Sequence, residues 1–274
     1  MNKYQLPFLF CLLFSSLIHA EIKLPNIIGS NMVLQRDLPV PIWGSGGAGE
    51  KVTVSFAGQS RHTTVDKQGN WMVRLAPLQA TTSPASLLVQ GANQIKLDNV
   101  LVGEVWICSG QSNMEWKVIQ CANPQKEIAA ANYPNIRLFD VPGHTIHRLP
   151  QKMGNGEWKV CSPESIASFS AAGYYFGRRL QQELKVPIGL IGANWGGTRI
   201  EPWTTLTGFK SVPELSGITQ SVEGYNENTP IKPVTPTAIY NSMVHPLTPY
   251  ALRGAIWYQG ESNAEDGAAY YAKK

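Results

Sequence analysis

The sequence predicts an α/β protein: a parallel sheet with helices on both faces, preceded by a small all-β sandwich. Three observations predict it. Short alternating runs separated by turn residues fill the first part of the chain. Longer apolar runs then alternate with a helical pattern, the rhythm of strands covered by helices. Finally, a polar, glycine-bearing loop comes directly after three of those apolar runs.

The first twenty residues are set apart. Lys3 supplies a positive charge, Leu6 to Leu17 is apolar, and Ile18-His19-Ala20 precedes the charged Glu21. That order is the one expected of a secretory signal cut after Ala20, so export to a periplasm or beyond the cell is expected. The apolar run is too short to span a bilayer. Cys11 lacks the small residue that a lipoprotein signal places before it, so no stable membrane anchor is expected.

Residues 21–99 read as the β-sandwich domain. Lys51 to Phe56 and Trp71 to Leu75 alternate apolar and polar. Turn chemistry separates such runs at Gly44 to Gly47, Ala57-Gly58, Gln68 to Asn70 and Gly91 to Asn93. Nothing in this segment looks catalytic, and its expected role is to pack on the second domain or present substrate to it.

Residues 100–274 read as that second domain. Val102 to Ile107, interrupted by Glu104, is its first strand run; Ile136 to Val141, Pro187 to Ile191 and Leu252 to Tyr258 are the others. Between the second and third runs the pattern predicts one helix. Ser162 caps it, Pro163 suits its first turn, and Ile166, Phe169, Gly173, Phe176, Leu180 and Leu184 share a face. Thr207 to Pro236, rich in Gly, Pro, Ser and Thr, reads as a long excursion loop.

Composition narrows the function. With 43% hydrophobic and 15% charged residues the chain suits a packed globular protein rather than a disordered one. Its formal charge is +4, or +3 without Lys3, and no Lys/Arg cluster occurs, so a nucleic-acid partner is not expected. Cys108 sits in an apolar strand run; Cys121 and Cys161 suit either a bridge or free thiols. No Cys or His spacing suggests a zinc site, so no metal is expected.

The chemistry should lie beyond the carboxyl ends of the parallel strands. Gly110 to Met114, Asn194 to Thr198 and Gln259 to Asn263 all stand there. Ser112, at a strand-to-helix turn, has its backbone amide at a helix start, where donors face an anion forming beside the hydroxyl. The run is not the Gly-x-Ser-x-Gly elbow of the α/β-hydrolases. Taken alone, Gly-Gln-Ser-Asn would be only a capped helix start.

Together the motifs carry a resemblance. VGEVWICSGQSNMEW (Val102 to Trp116), NWGGTRIEPW (Asn194 to Trp203) and YNSMVHPLTPYALRGAIWYQGESN (Tyr240 to Asn263) resemble three blocks of the sialate O-acetylesterases, a branch of the SGNH-type serine esterases. LPNIIGSNMVLQRDLPVPIWG, from Leu24, is similar to the opening of the β-domain those enzymes carry. The resemblance implies an SGNH-type, flavodoxin-like sheet and a carbohydrate O-acetylesterase needing no cofactor. Its substrate would be an acetylated sugar or sialoglycan. It implies Ser112 as nucleophile, an oxyanion hole from the amides of Ser112 and Gly197 and the side chain of Gln259, and Gln111, Asn113 and Glu261 as supporting residues. Arg199 is a candidate for the carboxylate of a sialic acid, by its planar fork of donors.

In that family the base and its orienting carboxylate come from an Asp-x-x-His segment, which this sequence lacks. The histidines after the leader are His62, His144, His147 and His245, and none stands where the family places its base. The expectation is therefore a C-terminally incomplete enzyme with little activity of its own. Two alternatives stand beside the sialate reading: an esterase of acetylated polysaccharide such as acetylxylan, and a sugar-binding hydrolase that has lost its base.

Overall fold

The computed structural model describes residues 21–264 and 268–273, so the leader expected over residues 1–20 lies outside the described residues. The N-terminal strands are β1 (Val33–Gln35), β2 (Val40–Ser45), β3 (Lys51–Phe56), β4 (Gln59–Thr64), β5 (Asn70–Leu75) and β6 (Thr81–Gln90). β3 bears out its alternation: Val52, Val54 and Phe56 point inward and the residues between them do not. The β3–β4 hairpin turns on Ala57 and Gly58, both with positive φ (47° and 76°), the geometry that matches strand twist in a two-residue turn. β2 and β5 form a separate antiparallel pair whose inward residues, Ile42, Val73 and Leu75, share one core with Val52, Val54, Leu87 and Val89.

β7 (Gln94–Gly110) joins the two parts of the molecule, and residues 99 and 100 lie within it. Its first half pairs antiparallel with β6, and Leu101 to Gly103 pair with β1. Its second half is the centre of a mixed, mostly parallel sheet with β8 (Tyr133–Asp140), β9 (Trp158–Cys161), β10 (Ile188–Asn194) and β11 (Gly254–Tyr258). The order is β11-β7-β10-β8-β9, with only β9 antiparallel to its neighbour. This is the SGNH-like α/β architecture that the sequence predicts.

Alternation along β7 sorts the two faces. Cys108 points to a core with Ile136, Leu138, Ile188 and Leu190, while Val105 and Ile107 point to the core shared with the N-terminal strands. The first face is covered by α1 (Ser112–Glu115), α2 (Pro124–Ala129), α3 (Pro163–Ile166) and above all α4 (Ala171–Leu184). α4 approaches closely because Gly173 and Gly177 face the sheet; a Cβ on Gly177 would stand 2.6 Å from Leu190. The second face carries Trp158, Leu247 and Tyr250, whose hydroxyl donates to Val33 O at 2.7 Å. Glu104, the interruption in the strand run, is buried and takes a 2.7 Å bond from Arg36, so its charge is paired across the two parts.

Two expectations differ from what is observed, and the choice left open for the cysteines is decided. The single helix from Ser162 to Leu184 is two, because the backbone carbonyls of Ala167 and Phe169 accept from Ile119 and Val118 instead of continuing the helix. Ser170 restarts it by capping Gly173 N, and Leu184 ends up exposed. The excursion loop holds α5 (Leu206–Lys210) and α6 (Ser216–Glu223). Cys108, Cys121 and Cys161 are all free thiols, so no Cys121–Cys161 bridge is formed.

Candidate functional site

The three glycine-bearing loops meet at the carboxyl ends of β7, β10 and β11. Gln111 N donates to Tyr258 O at 2.9 Å and Trp195 N to Gly110 O at 3.0 Å, so each outer loop is pinned to the central one. Gly110 must be glycine: its φ is +142° and a Cβ would collide with Tyr258 O at 2.0 Å.

Ser112 opens α1 and is exposed, lining a pocket of about 300 Å³ with Glu115, Trp116, Lys117 and Gln120. A cleft of about 540 Å³ between Trp43 and His245 is larger, yet none of the three loops lines it. The amide of Ser112 is the first of α1 and has no partner within the helix. Ser109, by contrast, is buried with its hydroxyl on Ala193 O at 2.5 Å, and so is not available for chemistry.

The turn after β10 lies against Ser112. A Cβ on Gly196 would stand 3.4 Å from Ser112 Cβ. Gly197 has φ +73°, is exposed, and its amide has no acceptor among the described residues. Thr198 closes the turn with its hydroxyl on Trp195 O at 2.7 Å.

Gln259 and Gln111 form the other wall. The Gln259 side-chain nitrogen lies 3.1 Å from Gln111 Oε1, 3.0 Å from Thr198 O and 3.1 Å from Asn263 Oδ1: three acceptors for two N–H groups. Its oxygen takes the Tyr271 hydroxyl at 2.7 Å. Gln111 Oε1, buried, also faces the amides of Gly260 and Ser262, both at 3.3 Å. Asn113 donates to Glu261 at 2.5 Å, which holds the third loop to α1. Arg199 is turned to Glu201 at 3.6 Å, and Glu201 in turn accepts from Asn263 at 3.1 Å.

The four histidines fall in different places. His62 bonds Thr53 on the β3–β4 hairpin, His147 bonds Leu149 and Gln151, and His245 bonds Gln151 O and lines the cleft at Trp43. His144 alone comes to the neighbourhood of Ser112: its Nε2 is 2.7 Å from Glu115, and its ring stacks on Trp195 at 4.5 Å. A loop histidine is solvated by default, and nothing local in the sequence marks this one; its partners are Glu115 and Trp195, far from it along the chain. Asp140, at the end of β8, lines the same small polar pocket as Glu115, Lys117 and His144. It reaches solvent, yet the crowding protein desolvates its carboxyl and pushes its pKa up to about 6, with Lys117 pulling down and Glu115 pushing up. No helix among the described residues is long and apolar enough to cross a membrane.

Comparison with known proteins bears on this site. The family described as carbohydrate esterase, sialic acid-specific acetylesterase, matches residues 102–274. Sialate O-acetylesterase of Homo sapiens is 33% identical over 262 residues, covering 87% of this chain and 48% of the relative. Sialate O-acetylesterase of Rattus norvegicus is 30% identical over 293 residues, covering 90% and 53%. A crystal structure of a carbohydrate acetylesterase from Xanthomonas citri superposes with a TM-score of 0.79 at 37% identity, covering 91% of this chain and 53% of that one. The chain spans about half the length of the relatives it matches.

Proposed function

Since this chain belongs to the carbohydrate esterase family of sialic acid-specific acetylesterases, we propose that it is an exported esterase that cleaves acetyl groups from sugars through Ser112. The observation that carries this reading is the exposed Ser112 at the end of β7 with the Gly196–Gly197 turn packed against it. Ser112 Oγ attacks the acetyl carbonyl, and the carbonyl oxygen becomes an oxyanion. The amides of Ser112 and Gly197, neither of which meets an acceptor among the described residues, are the donors placed to meet it. Oγ gives up its hydroxyl proton as it attacks, collapse expels the sugar alkoxide, which takes up that proton, and water then hydrolyses the acyl-serine, releasing acetate and restoring the Ser112 hydroxyl. Residues 100–274 supply this chemistry, and residues 21–99, through β7, supply its support.

Gln259 receives a different part from the one the resemblance implies. With both N–H groups directed at Gln111, Thr198 and Asn263, it holds the loop after β11 rather than an oxyanion. Gln111, Asn113 and Glu261 act with it as braces.

O-acetylated sialic acid is the leading substrate, from the names of the relatives. A neutral acetylated polysaccharide is the second reading, favoured by Arg199 facing Glu201 and by Glu115 and Asp140 near the pocket. Acetate release from O-acetyl sialic acid and from acetylxylan, measured side by side, decides between them. For the mechanism, a fluorophosphonate probe should label Ser112 and neither Ser109 nor Ser262. In an enzyme form that carries the family's Asp-x-x-His segment, Ser112→Ala should remove acetylesterase turnover with an unchanged melting temperature; labelling elsewhere, or turnover surviving in that variant, overturns the assignment.

A further inference from the structure

We propose that Glu115 is a positioning residue: its carboxylate clamps the Gly196–Gly197 turn onto Ser112 so that the Gly197 amide is held at the oxyanion position. This role rests on Ser112 being the nucleophile, as proposed above.

Glu115 stands one turn after Ser112 on α1, and its own amide bonds Gln111 O at 2.9 Å, so its base is fixed to the nucleophile's turn. Both carboxylate oxygens are committed. Oε2 accepts from Gly196 N at 2.6 Å, and Oε1 meets His144 Nε2 at 2.7 Å. A carboxylate accepting an amide N–H makes a short, charge-assisted bond, about twice as strong as a neutral one. The carboxylate is thus occupied by protein and does not face a reacting atom.

The geometry around Gly196 leaves no slack. A Cβ there would lie 2.8 Å from Glu115 Oε2 and 3.4 Å from Ser112 Cβ. Trp195, the residue before, is anchored through its amide to Gly110 O and through its ring to His144, stacked within 10° of parallel. His144 is therefore gripped on its edge by Glu115 and on its face by Trp195. With the amides of Trp195 and Gly196 both spent, the next one, on Gly197, is left without an acceptor among the described residues. One side chain in the first motif thus decides which amide of the second motif is offered to the reaction.

Displacing a catalytic group by about 1 Å costs roughly 100-fold. Glu115→Ala should therefore lower kcat on a chromogenic acetyl ester by about 10- to 100-fold, with KM within about threefold. Glu115→Gln keeps an oxygen for Gly196 N–H and should restore kcat to within about fivefold of wild type. Gly196→Ala, which pushes the turn off the clamp, should lose kcat like Glu115→Ala and serves if that variant fails to fold. Wild-type kcat in Glu115→Ala, with Ser112→Ala inactive, overturns the clamp alone. Equal loss in Glu115→Gln and Glu115→Ala also overturns it, since the carboxylate would then be acting as a base. Turnover surviving in Ser112→Ala removes the reading on which the clamp rests.

Discussion

Toward β11, the surroundings of Ser112 are closed by bonds within the protein: Gln111, Gln259, Asn263, Glu201 and Tyr271 share one network in which each acceptor has a donor. Toward β8 the surroundings are open. Trp116 is half exposed, Lys117 is exposed, and Asp140 and His144 line a pocket of about 240 Å³. The difference separates two jobs. A closed polar network fixes the relative positions of three loops, whereas exposed polar and aromatic groups beside the proposed nucleophile offer surface to a substrate. Substitutions on the closed flank should then read out in stability, and those on the open flank in substrate binding or in the pH dependence of stability.

The sharpest break of this comparison is Gln111→Ala. It leaves the amides of Gly260 and Ser262 short of an acceptor in a partly buried place, while Gln259 keeps Thr198 O and Asn263 Oδ1 for its two N–H groups. Each such loss costs about 1–3 kcal/mol, but these bonds are long, so a total of about 2–3 kcal/mol is expected. In a chain of this size that lowers the melting temperature by roughly 5–10 °C. An unchanged melting curve would mean that the network contributes nothing to holding the loops.

Trp116→Ala tests the open flank. The ring is 51% exposed beside Ser112, and its apolar face suits the C–H face of a sugar. Losing such a contact is worth about 1 kcal/mol, a roughly fivefold rise in KM for a sugar acetate. The melting temperature and the kcat on a small acetyl ester should stay put. A fall in stability instead would place Trp116 among the braces.

The same division explains what could be read from the chain. Strand runs, the turn at Ala57-Gly58 and the three loops at strand ends were legible because each rests on neighbours in sequence. Glu104 was visible as an interruption, but its partner Arg36 lies 68 residues earlier, in the turn just after β1. The helix break at Ala167 to Ser170 was hidden because the donors that compete for those carbonyls come from Val118 and Ile119. Gln259 was legible as a loop residue of the right type, yet its direction depends on Gln111, Thr198 and Asn263. Position along the chain pointed to the proposed site; the partners of each polar side chain, set by the fold, are the grounds for proposing which member braces and which is left free.

The smallest effect expected is at Asp140, and it sharpens the comparison through pH. In the folded protein its carboxyl titrates at about 6, above the 3.8 of an unperturbed aspartate, chiefly because burial disfavours the charge. A raised carboxyl means that the folded state holds the proton more tightly than the unfolded one. The stability linked to that proton is present in full below pH 3.8 and is lost as the pH rises through about 6. Asp140→Asn, which cannot ionise, should therefore match wild type near pH 4 and melt at a higher temperature by pH 7 to 8. Because Asp140 opens to solvent, screening keeps the gain small, about 1–3 °C. The measurement is a pair of melting curves at several pH values from 4 to 8. A gap that widens as the pH falls would reverse the sign and put Asp140 in a stabilising ion pair with Lys117. A gap that opens between about pH 4 and 6 and then levels off identifies the open flank as the place where the protein holds a charge at a cost, next to the serine it is proposed to use.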